Sequence, residues 1–511
     1  MTFAKHYAAD DPHAIAIRDE FKAFTWADVD DQLNRCANGL QAMDLGPDKR
    51  IAVFAGNSIY TALANLGGLI AGASVVPVNF HLTAEEVAYI LEDSDTRVLF
   101  VGPDTVETGL QAAASVANVH TVIGWRCANP KGLINWEIWI NEQNGGEPDH
   151  SVTPKPNLLY TSGTTGRPKG TDTPPTMFVG GADINEHFAL YNQGIAERHG
   201  GNIGPQLVVG PMYHAGPLGA TKQLIAGFPS VILGRFDAEK TLAAIEEHKI
   251  AFTLMVPTHF VRLLALTDDI KAKYDVSSIE SVSHTGAQCP VDVKRRMIEW
   301  FGPVFLDAYG ASEVGATCMI TSEEWLQHPG SVGKAIPPFT TRILDDDDNE
   351  VPPNTEGRLF FEDATGRGVI YHNDPEKSAA AHIAPGVFTL GEIAYMNEEG
   401  YVFITDRFSD MVVSGGVNIY PAEAEQVLIE HPAVLDVACI GVPNKEMGEE
   451  LKALVIAHKD MELPSPDALI AWCRERLSHY KCPKTLDYVD DIGRNTMGKV
   501  NKRKLRAPYW D

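Results

Sequence analysis

Short, continuous apolar runs alternate along the chain with segments whose apolar residues recur every three or four positions. The runs at 50–54, 98–101, 122–125, 206–209 and 252–256 predict strands buried on both faces. The segments 238–248 and 291–300 carry their apolar residues on one helical face. Between 63 and 78 the chain is almost wholly apolar, but Asn65, Gly67, Gly68 and Ser74 interrupt it and it ends near Pro77. That stretch is short for a membrane span and predicts a buried helix running into a strand. Strand–helix alternation of this kind implies an α/β fold with layered, largely parallel sheets.

The pattern changes after residue 340. The charged cluster 345–350 lies between apolar runs and lacks the spacing of a calcium loop, so it reads as a solvated turn, with Pro352, Pro353 and Gly357 behind it. Short runs at 358–361 and 394–404 predict antiparallel strands. Beyond 406–410, a helix starting at Tyr420-Pro421-Ala422-Glu423, strands at 434–442 and 451–456 and a helix over 466–478 make a compact α+β unit. Its length, about a hundred residues, is a usual domain size. The expected division is an N-terminal domain over 1–406 and a C-terminal domain over 407–511.

Composition narrows the function classes. With 511 residues, more than one core is expected. A formal charge of −26 argues against nucleic acid or an anionic membrane as the main partner. Seven cysteines, at 36, 127, 289, 318, 439, 473 and 482, form no C-x2-C pair and are odd in number. Reduced thiols are therefore expected, not a disulfide scaffold or a zinc site. The N-terminus Met1-Thr2-Phe3-Ala4-Lys5-His6-Tyr7 lacks the apolar core of a signal peptide, and no span is foreseen, so a cytoplasmic location is expected. A homodimer is compatible with the sequence.

The richest chemistry lies at 160–170, Tyr-Thr-Ser-Gly-Thr-Thr-Gly-Arg-Pro-Lys-Gly. Gly163 and Gly166 free the backbone to turn its N–H groups toward an anion. Thr161, Ser162, Thr164 and Thr165 add hydroxyl donors, and Arg167 and Lys169 add positive charge. The result is a cradle for polyphosphate, with a spacing unlike the Gly-x4-Gly-Lys-Ser/Thr loop. The competing reading, a flexible Gly/Thr linker, does not account for the flanking basic residues.

This run resembles the phosphate loop of the AMP-forming adenylate-forming enzymes, a superfamily of acyl-CoA synthetases, peptide-synthetase adenylation domains and beetle luciferases. The likeness recurs in order at Tyr309-Gly310-Ala311-Ser312-Glu313, at Gly391-Glu392 through Glu423, and at Arg494 through Arg506. It implies a large N-terminal domain and a small mobile C-terminal one, with ATP, CoA, magnesium and a small carboxylic acid as partners. It further implies that Tyr309 stacks on adenine beside Gly310, that Ser312 contacts the α-phosphate, and that Glu313 and Thr165 hold magnesium. Gly286, Ala287 and Gln288 match the backbone segment along adenine. Glu392 falls where the family has Asp for the ribose hydroxyls, one methylene longer, and Arg407 matches the ribose and phosphate arginine. Ser409 takes the hinge position, and Ser414, Gly415 and Gly416 match the wall of a pantetheine tunnel. Gly498-Lys499 matches the catalytic lysine motif, in which Lys499 stabilises charge on the carboxylate and α-phosphate.

The acyl side is less defined. Tyr213 and His214 occupy the aromatic-His position that borders the acyl pocket in acyl- and aryl-CoA synthetases. Gly216 and Gly315 leave room for an apolar group of substantial size. Fatty, aryl and polycyclic acids all fit this description. The expected function is an acyl-CoA synthetase. The alternatives are a stand-alone enzyme loading a carrier protein, a luciferase-like monooxygenase that no feature favours, and a nucleotide-binding protein without turnover.

Overall fold

The computed structural model describes residues 3–510 except 129, 162–167, 287, 288, 290, 346, 408–411, 420, 459, 460, 494–499 and 501; of 3, 405–407, 418, 422, 426 and 503 it describes the backbone alone. Four principal sheets organise the described chain.

One is parallel throughout, in the order Ser74–Val78, Arg50–Phe54, Val98–Val101, Thr121–Gly124, Ile134–Asn135. The expected helix-into-strand segment is part of it. Helix Ile59–Ile70 is buried along its whole length and is capped by Ser58, whose hydroxyl accepts the Thr61 N–H. Gly68 lets this helix lie directly on the sheet, because a Cβ there would sit 2.6 Å from Ile51 Cδ1 and 2.7 Å from Val75 Cγ2.

A nine-stranded sheet runs beside it, parallel through Ser281–His284, Phe252–Met255, Gln206–Val208 and Ser230–Ile232. Its antiparallel flank is the hairpin Phe305–Ala311 and Gly315–Thr321. A six-stranded antiparallel sheet follows, and strand Val402–Arg407 forms one of its edges. Strand Val412–Ser414 already belongs to the last sheet, with Val417–Ile419, Gly448–Ala457, Val434–Asn444 and Thr485–Tyr488. That last sheet has a core of its own around Val412, Leu428, Val455 and Leu469.

The expected strand over 394–404 is two strands, Glu392–Met396 and Val402–Arg407, paired antiparallel. The reason is local: the Asn397 side chain accepts the N–H groups of Glu399 and Tyr401, and Gly400 takes φ 85°, so the polar stretch between them turns. The expected helix over 466–478 ends at Arg474. The seven cysteines are all free. Among the described residues, no helix is long and apolar enough to cross a membrane.

Candidate active site

The antiparallel hairpin Leu158–Thr161 and Lys169–Asp172 holds the two ends of the expected phosphate loop. Ser162, Gly163, Thr164, Thr165, Gly166 and Arg167 lie outside the described residues. The hydroxyls of Thr161 and Tyr371 lie near the Glu313 carboxylate and favour its charged form. Burial raises the Glu313 carboxyl above its ordinary value, against the pull of the nearby Lys377 ammonium and these two hydroxyls.

Glu313 is held in a tight turn. Gly310 is a strand position, and the chain reverses at Ser312–Val314. Gly310 is needed there because a Cβ would lie 1.9 Å from the Gly315 carbonyl oxygen across the hairpin. Gly315 has φ 80°, and a Cβ on it would approach Thr176 Oγ1 to 2.6 Å. Tyr309, in the same strand, stacks on Phe361 with ring centroids 6.1 Å apart. Arg367 donates to the Glu313 carbonyl at 3.1 Å and fixes the turn from behind.

Lys169 ion-pairs with Asp374, and Lys377 lies beside it. Asp374 caps the helix Pro375–Ala380 by accepting the Lys377 N–H at 3.0 Å. Burial, with the Lys169 ammonium adjacent, lowers the Lys377 ammonium to about 8. Its head also rests 4.2 Å from the Tyr371 ring centre. Asp374, Lys377 and Tyr371 did not stand out in the sequence. The one signal available was Asp374-Pro375, a cap followed by proline, which starts a helix and so fixes where Lys377 points.

Glu392 is almost fully buried and pairs in register with Arg407 across two antiparallel strands. The two residues matched to ribose recognition therefore share one rung of the ladder, although the Arg407 side chain is outside the described set. Gly286 adopts φ 87° beside Val256, while Ala287 and Gln288 are not described.

The C-terminal unit reaches this same point. A Cβ on Gly416, at φ 79°, would lie 3.0 Å from Val256 Cγ2, and one on Gly286 3.5 Å from Val256 Cγ1. Val256 begins the turn into helix Pro257–Leu264, and its N–H is accepted by His259 Nδ1 at 3.4 Å. Burial lowers the His259 imidazole to about 3, so it is neutral, and it stacks on Phe236 at 4.0 Å. Ser414 bridges to Gly448, and the Gly415 N–H donates to the Met447 carbonyl at 2.8 Å. Ser409 and Lys499 lie outside the described residues.

A buried ion triad clamps the C-terminal unit at this orientation. The Lys481 ammonium lies 2.7 Å from Glu86 Oε1 and 3.0 Å from Glu423 Oε1, with 1% of its side chain exposed. Ser478 and Thr83 donate to the other Glu86 oxygen. Burial pushes the Glu423 carboxyl up to about 7 despite the lysine. Glu86 is held below its ordinary value: burial opposes this, but Lys481 and the hydrogen bonds outweigh it. The Asn79 side chain donates to the Tyr480 hydroxyl at 2.9 Å in the same contact.

On the acyl side, Tyr213 meets Phe80 edge-on at 5.3 Å. His214 begins the helix Ala215–Lys222 and keeps an exposed face although it lies deep in the protein, where desolvation lowers its imidazole to about 4. Gly216 packs on Leu254, which a Cβ would approach to 3.0 Å.

A family model described as AMP-binding enzyme matches residues 4–366, and one described as AMP-binding enzyme C-terminal domain matches 423–499. A fatty acid–[acyl-carrier-protein] ligase, ScoC, from Streptomyces coeruleorubidus is 29% identical, over 99% of this chain and 95% of the relative. A 3-[(3aS,4S,7aS)-7a-methyl-1,5-dioxo-octahydro-1H-inden-4-yl]propanoyl:CoA ligase from Rhodococcus jostii is 31% identical, over 96% and 95%. Among solved structures, a double mutant of the o-succinylbenzoate CoA synthetase of Bacillus subtilis, bound with its product analogue OSB-NCoA, has a TM-score of 0.81 at 25% identity, covering 99% of this chain and 98% of that one. The same enzyme in complex with its acyl-adenylate intermediate has a TM-score of 0.65 at 25% identity over the same shares.

Proposed function

The chain belongs to the family of AMP-binding enzymes, and from that premise we propose that it joins a carboxylic acid to coenzyme A by way of an acyl-adenylate. The acid carboxylate attacks the α-phosphorus of ATP and pyrophosphate leaves. The CoA thiol then attacks the acyl carbon, the thioester forms and AMP leaves.

One observation carries this reading: Gly416 of the C-terminal unit and Gly286 of the nucleotide end close on the same residue, Val256, beside the cleft that holds Glu313. Two positive-φ glycines at one point leave backbone walls without Cβ atoms, which suits a narrow thiol chain entering between the units. The greater likeness to the product-analogue complex than to the acyl-adenylate complex supports the same assignment of this orientation to the thiol step.

In this reading Lys169 and Lys377 hold the phosphate oxygens and offset their charge. Glu392 and Arg407 take the ribose, and Tyr309 packs against adenine. Lys499 orients the attacking carboxylate against the α-phosphate, which lowers both the charge and the entropy barriers. Magnesium fits the donor set as a guest carried in with phosphates. Glu313 is a single deep carboxylate, and among the described residues no group of three His, Cys, Asp or Glu could hold a metal. When bound, the ion neutralises charge on the leaving pyrophosphate, with Glu313 and Thr165 as its protein contacts. A cytoplasmic location belongs to the same reading, since ATP and CoA are its co-substrates. A unit boundary at 406–407 and a hinge at Ser409 belong to the same reading.

A carrier protein as acceptor is the second reading, since the Streptomyces relative is named for that acceptor. Purified protein with ATP, magnesium and a panel of fatty, aryl and polycyclic acids separates the two. AMP release that needs free CoA supports the ligase reading. AMP release that needs a pantetheinylated carrier protein and ignores CoA replaces it.

A further inference from the structure

Among the described residues, Lys222 forms no ion pair. Lys222 ends the helix that His214 begins. Its side chain is partly exposed, and desolvation lowers its ammonium to about 8. His214 is exposed at the other end of the helix, and Tyr191 is partly exposed on the helix Ile184–His199.

The neighbours of Lys222 are aromatic and neutral. The Phe178 ring centre lies 5.9 Å from its ammonium. His187, 4.9 Å from Phe178, commits Nδ1 to the Gly180 carbonyl at 2.6 Å, and burial lowers its imidazole below the ordinary value. Met177, adjacent to Phe178, reaches Gly315, two residues past Glu313. Gly315, Met177 and Phe178 thus link the Glu313 turn to Lys222 through apolar groups, with Met177 open to solvent.

Among the described residues, no Asp or Glu forms an ion pair with Lys222, and desolvation is the influence acting on its ammonium. A shielded ammonium without a counter-charge is costly, and a ligand anion relieves that cost. The reacting carboxylate is provided for separately by Lys499 in the function proposed above.

We propose that Lys222 receives a second carboxylate of the substrate, so that the preferred acid is a dicarboxylate whose two acid groups are separated by an apolar skeleton. This rests on the ligase reading and names its substrate class.

The test uses the full-length protein and matched pairs of acids: alicyclic or aryl dicarboxylic acids, and the half-esters in which the remote carboxylate is methylated. The wild-type protein is expected to favour the diacid in kcat/KM by about 10–100-fold, the range for a hydrogen bond to a charged group. Lys222→Met should collapse that ratio toward one, mainly through KM for the diacid, and Lys222→Arg should restore part of it. Equal use of diacid and half-ester by the wild type overturns the proposal while leaving the ligase reading intact. A ratio that survives Lys222→Met also overturns it. Absence of AMP release with every acid removes the ligase reading, and this one with it.

Discussion

The two ends of the cleft are built on opposite electrostatic plans. At the nucleotide end, charges meet charges: Lys169 with Asp374, Lys377 between Lys169 and Glu313, and Glu313 beside two hydroxyls. At the acyl end of this reading, Lys222 faces the Phe178 ring and lies near the His187 imidazole. Phosphate chemistry is the same for every substrate of such an enzyme, so its site can be preassembled with balanced charge. The acid is what differs between such enzymes, and its recognition rests on pocket shape and one unbalanced group.

That contrast also governs what the amino-acid sequence reveals. The nucleotide end rests on local motifs, and the phosphate loop, Tyr309–Glu313 and the Glu392/Arg407 pair are all readable as short strings. Lys377 escapes such reading because its neighbours are remote: Asp374 reaches Lys169 across 205 positions of chain. Lys222 escapes because a helix-terminal lysine is ordinarily solvated, and only the packing of Phe178 and His187 shows otherwise. The same holds for the clamp, where Glu86 and Lys481 are 395 positions apart. Strands such as Arg50–Phe54 and Phe252–Met255 were legible because continuous apolar runs have few alternatives. The order of strands within the nine-stranded sheet was not, because it is fixed by crossovers and carries no local signal.

Four substitutions probe the contrast. The largest effect is expected from Lys499→Ala, which should slow acyl-adenylate formation by about 10²–10³-fold while sparing thioester formation from supplied acyl-adenylate. Equal loss in both half-reactions, followed by pyrophosphate and AMP release, would refute the assigned role. Next is Lys481→Met, which strands two buried carboxylates at the clamp. A loss of about 3–5 kcal/mol is expected in the stability of the C-terminal unit, together with a thioester step slowed more than adenylation. An unchanged denaturation midpoint would mean that the triad is not clamping.

Lys377→Met should raise the ATP KM and lower kcat/KM by roughly 10-fold, the scale of one charge-assisted contact, without altering preference among acids. A change in acid preference would erase the division between the two ends. The smallest effect concerns pH. The Glu423 carboxyl sits at about 7 against an ordinary 4.5. The folded form therefore keeps a proton that the unfolded chain releases, and this group's contribution to stability declines as pH rises from 4.5 to 7. Glu423→Gln should remove that decline, read as a flatter plot of melting temperature against pH. An unaltered slope would show that Glu423 is already ionised across the range.

The most direct test of the central claim is acid-dependent exchange of labelled pyrophosphate into ATP, measured with and without CoA on the wild-type protein. Exchange that needs an acid, proceeds without CoA, and gives way to steady AMP and thioester formation when CoA is added is the expected result. Exchange that no acid supports, or AMP formation that CoA leaves unchanged, would contradict it.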